Sequence, residues 1–161
     1  MKKLTLAFLI ILFTLTSNVV WSADYYIGFA AYNDGDYVTA LREWKPLADQ
    51  GNDDAQFWLG YMYDKGKGVP QNYKTAVKWY RLSAEQGDAD AQTNLGEMYR
   101  KGHGVLQDNV YAHMWENLGA SNGNENGGKL RDFVAKEMTP ADISTALELA
   151  RECVKKNYKG C

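Results

Sequence analysis

Apolar residues recur along this chain at helical spacing. Ala55, Leu59, Met62 and Tyr63 stand at i, i+4, i+7 and i+8, and so do Ala91, Leu95, Met98 and Tyr99. Each set forms one stripe on a helix. Ala76, Trp79, Leu82 and Ala84, then Ala112, Trp115, Leu118 and Ala120, mark a second helix in each case. Gly66-Lys67-Gly68-Val69-Pro70 and Gly102-His103-Gly104-Val105-Leu106 end the first helices and make the turns. Gly87 and Gly123 close the second ones.

The two halves of this pattern are copies. Residues 55–90 and 91–126 share 16 of 36 positions without a gap. The unit is a helix–turn–helix that cannot bury its apolar face alone, so the copies must stack. Gly60 and Gly96 sit inside the first helix of each copy, where Gly costs about 1 kcal/mol relative to Ala. A repeated cost predicts a neighbouring helix passing too close for a Cβ. A shorter related unit lies upstream. Gly28 stands in its first helix, Asn33-Asp34-Gly35-Asp36 forms its turn, and its second helix carries Ala40, Trp44 and Ala48.

The motif A-Q-x-x-L-G-x-M-Y-x-K-G-x-G-V, followed by A-x-x-W and a terminal Gly, resembles the Sel1-like repeat. The first unit is similar to a tetratricopeptide repeat. The resemblance implies an all-α fold: an α/α solenoid of antiparallel helix pairs in a right-handed superhelix. The array runs over 23–123. Residues 24–54 are the tetratricopeptide-like unit, and 55–90 and 91–123 are the two full repeats. The resemblance further implies an interaction adaptor and no catalyst.

Residues 124–161 depart from the repeat, with Arg131 and Asp132 where Leu59 and Gly60 stood two units earlier. Lys129–Met138 reads as a helix. Thr139-Pro140-Ala141-Asp142 starts another, with Thr as N-cap and Pro at the first position. Ile143, Ala146, Leu147, Ala150 and Val154 form its stripe. This segment is expected to be a C-terminal helical cap, and its RD…MTP run resembles the ends of other exported Sel1-like proteins.

The N-terminus has a different design. Lys2 and Lys3 precede an apolar run from Leu4 to Leu15, and Val20-Trp21-Ser22 offers small residues for cleavage. Residues 1–22 therefore read as a secretory signal peptide, too short in its apolar run for a spanning helix. The expected location is periplasmic or secreted, with no stable membrane insertion after cleavage. Loss of Lys2 and Lys3 leaves 16 basic and 20 acidic side chains, a net charge of −4. That balance argues against nucleic acid as a partner.

Candidate chemistry is sparse. Cys153 and Cys161 resemble the C-x7-C pairs that staple helices in cysteine-rich Sel1-like proteins. A bond requires the chain to turn back after about Asn157, since eight residues of straight helix span about 12 Å; two reduced thiols are the alternative. His103 and His113 lack partners at ligand spacing. Asn122, Asn124, Asn126 and Gly127 match a calcium loop poorly, lacking carboxylates and its closing Glu. No metal or other cofactor is expected. Some cysteine-rich relatives suggest β-lactam binding or weak hydrolysis, yet the chain has no S-x-x-K; Thr75-Ala76-Val77-Lys78 comes nearest, inside a repeat helix.

Binding surfaces of repeat proteins lie where the copies differ. The divergent positions fall three before, one after and four after the helix Gly. They are Tyr25, Phe29 and Tyr32; Phe57, Tyr61 and Asp64; and Thr93, Glu97 and Arg100, with Trp58 flanking them. They outline a concave groove that grades from aromatic to charged and suits another protein or a peptide. Phe29, Tyr32 and Phe57 either line that groove or pack between units. A cell-wall glycan or peptide is the alternative ligand, since Trp and Tyr also stack on sugars.

Overall fold

The computed structural model describes residues 23–161; the segment read as a signal peptide lies outside them. Eight α-helices and one short 3₁₀ turn make up the described part: α1 (Tyr25–Asn33), α2 (Tyr37–Asp49), α3 (Asp53–Lys65), α4 (Tyr73–Ala84), α5 (Ala89–Lys101), α6 (Asn109–Ser121), α7 (Glu125–Val134), the 3₁₀ turn (Ala135–Glu137) and α8 (Pro140–Lys155). Successive helices pack on one another from α1 to α7, as in an α/α solenoid. None of these helices is long and apolar enough to cross a membrane.

Every start is chemically marked. Asp24, Asp36, Asn52, Asn72, Asp88, Asp108 and Asn124 each accept hydrogen bonds from the first-turn backbone with the side chain, and Thr139 does so in a capping box with Asp142. Helix ends are equally regular. Gly66 and Gly102 cap α3 and α5 in the left-handed region, each at φ 67°. The next glycine of each turn has a different task. A Cβ on Gly68 would stand 2.5 Å from Tyr37 Cβ, and one on Gly104 would stand 2.5 Å from the Tyr73 backbone. Each turn is thus pressed onto the start of the second helix of the preceding unit.

Gly60 and Gly96 meet the expectation of close approach, and Gly28 turns out to share it. A Cβ on Gly28 would lie 2.5 Å from Trp44, one on Gly60 would lie 2.6 Å from the Tyr80 ring, and one on Gly96 would lie 2.6 Å from Glu116 Cγ. Trp44, Tyr80 and Glu116 occupy one position, 36 residues apart. Each unit sends one side chain across its own glycine, and all three are fully buried. Trp79 and Trp115 stand one position earlier and are also core, beside Leu59 and Leu95.

Gln56 and Gln92, the glutamines of the A-Q motif, have a defined role. Gln56 donates to Ala48 O at 3.0 Å and Gln92 to Ala84 O at 3.1 Å, each satisfying the end of the preceding helix. Gln86 in turn donates to Gln56 at 2.9 Å, and Asn122 to Gln92 at 2.8 Å. Tyr158 then donates its hydroxyl to Asn122 at 3.1 Å. Gln86, Asn122 and Tyr158 are again spaced by 36, so one polar ladder runs along an edge of the solenoid.

The C-terminal segment differs from expectation in two ways. The helix read from Lys129 begins at Glu125, and the Asn/Gly-rich stretch is its first turn rather than a loop. Asn124 caps it and Gly127 lies inside, where a Cβ would stand 2.8 Å from Glu116 O. Only glycine lets α7 come that near to α6. Second, α8 packs on α6. Asp132, exposed at the helical-glycine position, offers no site for a close crossing. The buried stripe of α8 is Ala146, Ala150 and Cys153, and Val154 is half exposed. This covers Leu118, whereas its counterpart Leu82 on α4 stays 38% exposed. After α8 the chain turns back through Asn157 and Tyr158, both at positive φ, and brings Cys161 to a Cα distance of 5.5 Å from Cys153 as a disulfide-capable pair.

Candidate functional site

The first helices of the units, α1, α3 and α5, carry the divergent positions, and α7 continues the row. Trp58 does not flank the aromatic residues; it is their hub. Its ring stacks on Trp44 with centroids 5.2 Å apart and meets Tyr32 at 5.0 Å, Phe57 at 5.4 Å, Phe29 at 5.6 Å and Tyr61 at 5.8 Å. Its indole N–H donates to the Tyr25 hydroxyl at 3.0 Å, while Trp44 donates to the Tyr25 carbonyl at 3.1 Å. Two indole donors are thereby satisfied without water. Phe57 also reaches Tyr80 at 6.0 Å, which ties this cluster to the second helix of the same unit, α4.

These rings answer the choice between groove and core. Tyr25, Tyr32, Phe57, Trp58 and Tyr61 are half-buried, and Phe29 is 38% exposed. Each packs between units with one side and shows the other. Burial pushes the Tyr32 phenol up to about 12, helped by Tyr61, and burial raises Tyr25 against the pull of the Trp58 hydrogen bond. Both phenols are therefore neutral at physiological pH.

Residues toward the C-terminus are more enclosed than their positions suggest. Asp64 is buried and pairs with Lys65 at 2.7 Å. Thr93 is 5% exposed, and its hydroxyl donates to Ala89 O at 2.9 Å. Gly119 and Gly127 close over Thr93, so it belongs to the floor and presents no hydroxyl to a partner. Glu97 pairs with Lys101 and, at 3.4 Å, with Arg100. Burial opposes its charge, but the Lys101 ammonium, with Arg100 and Lys65, holds its carboxyl below the ordinary range. The Arg100 guanidinium lies 5.6 Å from the Phe133 ring centre on α7.

Between these halves runs a groove of about 650 Å³. Phe57 and Trp58 form one wall, Thr93, Asn94 and Glu97 the floor, and Asn126, Lys129 and Leu130 the far wall, with Asp90 and Asn124 at one end. The α7 wall is missing from the sequence pattern, which starts this helix only at Lys129. Its signal was present: Asn124 stands 36 residues after the N-cap Asp88, itself 36 after Asn52.

The remaining candidate chemistry is absorbed by the fold. Asn122 and Asn124 serve the ladder and the α7 cap. His103 stacks on Tyr73 at 4.2 Å. His113 is buried, and burial with the nearby Arg131 holds its pKa down. Among the described residues no group of three His, Cys, Asp or Glu side chains is placed to hold a metal ion.

The Sel1 repeat family model matches residues 53–88 and 89–124. Solved structures similar to this chain include a protective antigen present in uropathogenic Escherichia coli strains, displaying an SLR fold. It is 29% identical with a TM-score of 0.79, over 83% of this chain and 30% of that one. A Sel1 repeat protein from Oxalobacter formigenes is 34% identical with a TM-score of 0.67, over 71% of this chain and 47% of its own. The chain thus spans less than half of either. No curated protein matches it.

Proposed function

We propose that this chain, which carries two Sel1 repeats, is an exported adaptor that holds another protein or a peptide in the groove lined by α3, α5 and α7. Sel1 repeats are generally protein-interaction modules, and the fold is typically a non-catalytic scaffold. The observation that carries the reading is the half-buried ring cluster around Trp58. Six aromatic side chains are fixed by one another and stay partly exposed, and two of them, Phe57 and Trp58, line the groove. Rigid aromatic faces lose little entropy on binding and are enriched among interface anchors.

In this reading residues 1–22 direct export and 124–161 close the array. Cys153 and Cys161 pair in an oxidising compartment and hold Tyr158 on the end of the polar ladder. Tyr25, Phe29, Tyr32, Phe57, Trp58 and Tyr61 make the contact surface, with Asp64, Glu97 and Arg100 as its charged continuation. The test uses residues 23–161, oxidised, as bait in an extract of the cell envelope, beside Phe57→Ala/Tyr61→Ala. A protein retained by the parent and lost by a folded double variant supports the reading. Equal retention by both moves the site to another face, and retention on purified peptidoglycan with no protein captured replaces the partner with a cell-wall ligand.

A further inference from the structure

The charge around the groove is one-sided where the aromatic surface begins. Asp54 and Asp90 occupy equivalent positions 36 residues apart, one turn before Phe57/Trp58 and Thr93/Asn94. Neither has a Lys or Arg within ion-pair distance among the described residues, nor does the adjacent Asp53. The field they set up is felt by a neighbour. Asp88 is pushed up to about 6, by burial first and then by Asp90, Asp53 and Asp54, with only the Ala91 backbone hydrogen bond acting the other way. On the far wall Lys129 is a lone cation. By contrast Asp64 and Glu97 already hold lysines.

Resting on the adaptor reading, we infer that the groove takes an extended peptide segment in which a Lys or Arg adjoins an aromatic or aliphatic residue. The apolar side chain seats against Phe57 and Trp58, and the cation lies at the Asp54–Asp90 edge, where carboxylates and ring faces both attract it. Asn94 and Asn126 line the path between the walls and supply amides for the backbone of an extended chain. An acidic segment meets repulsion along that edge and leaves Lys129 as its sole free counter-charge.

The probe is a library of random 12-residue peptides selected on the immobilised chain, with Trp58→Ala as counter-selection. Sequences whose retention depends on Trp58 are expected to be rich in Lys or Arg next to an apolar residue. In Asp54→Asn/Asp90→Asn, whose side chains lie at the surface of first helical turns, those peptides should weaken about tenfold, as two partly exposed charge pairs warrant. They should also lose most of their salt dependence. Trp58-dependent sequences that are acidic, or carry no charge bias, would overturn the inference and leave the groove as a binding site. If no selected sequence depends on Trp58, with circular dichroism showing that variant folded, the groove reading falls and the inference with it.

Discussion

Glu116 gives the sharpest test of the packing. It stands at the position of Trp44 and Tyr80, passes over Gly96, is fully buried, and neither of its carboxylate oxygens has a hydrogen-bond partner. Burial pushes its pKa from an ordinary 4.5 to about 8, with Arg100 pulling it down and Glu97 pushing it further up. The folded state therefore binds a proton that the unfolded state releases above pH 4.5. Its contribution is fully favourable below pH 4.5 and is lost as pH rises toward 8. At about 1.4 kcal/mol per pH unit, folding with Glu116 at pH 7 is opposed by about 3 kcal/mol relative to a neutral isostere. Glu116→Gln keeps the shape and removes the titration. Urea unfolding followed by tryptophan fluorescence should show the variant equal to the parent at pH 4 and about 3 kcal/mol more stable at pH 7. The gain is roughly 10 °C in Tm. An equal gain at both pH values, or none at pH 7, would refute the reasoning, because either result means that Glu116 is not carrying a proton into the fold.

Other consequences are open to direct measurement. Gly60→Ala should destabilise by about 2 kcal/mol or more in urea titration, since the new Cβ meets the rigid Tyr80 ring at 2.6 Å; propensity alone predicts a gain of about 1 kcal/mol. Tyr158→Phe removes the last rung of the ladder, the bond to Asn122, and should cost about 1 kcal/mol. Reduction of the Cys153–Cys161 link, which joins residues eight apart, should cost about 2–3 kcal/mol by the loop-entropy argument; a midpoint unmoved by dithiothreitol would contradict that. Raising the pH from 4 to 7 should weaken the start of α5 as the N-cap Asp88, held at about 6 by burial and its acidic neighbours, gives up its proton. The protection factor at Ala91, which is the intrinsic exchange rate at each pH divided by the observed rate, should fall over that interval, and Asp88→Asn should abolish the fall.

Much of the fold is legible in the chain because it is written twice. Leu59 and Leu95, Gly60 and Gly96, and Gly66 and Gly102 each mark a local event that recurs, and recurrence separates a structural demand from an accident of composition. The stripe of α8 was readable for the same local reason, although Cys153 replaces Val154 in the buried set. The groove was less legible. Phe29, Tyr32 and Phe57 could be placed at divergent positions, but a half-buried ring serves core and surface together, and no spacing separates those roles. Thr93 shows the converse: it stands at a divergent position, yet Gly119 and Gly127 crowd its hydroxyl and it is buried.

By itself the sequence determined the helix–turn–helix period, the glycine ends of the helices, the Thr139 cap, the close crossings at Gly60 and Gly96, and the end of regularity after the third unit. These follow from residue types acting within one helix or on the next one in the chain. Tertiary structure alone decided that Trp58 is the hub of the aromatic cluster, that α7 begins at Glu125 and walls the groove, that α8 covers α6, and that Glu116 is sealed where an aromatic ring stood in the earlier units. Each of those outcomes depends on which surfaces remain to be covered after the local helices have formed. That is a property of the packed array, in which one glycine or one missing turn redirects a whole helix.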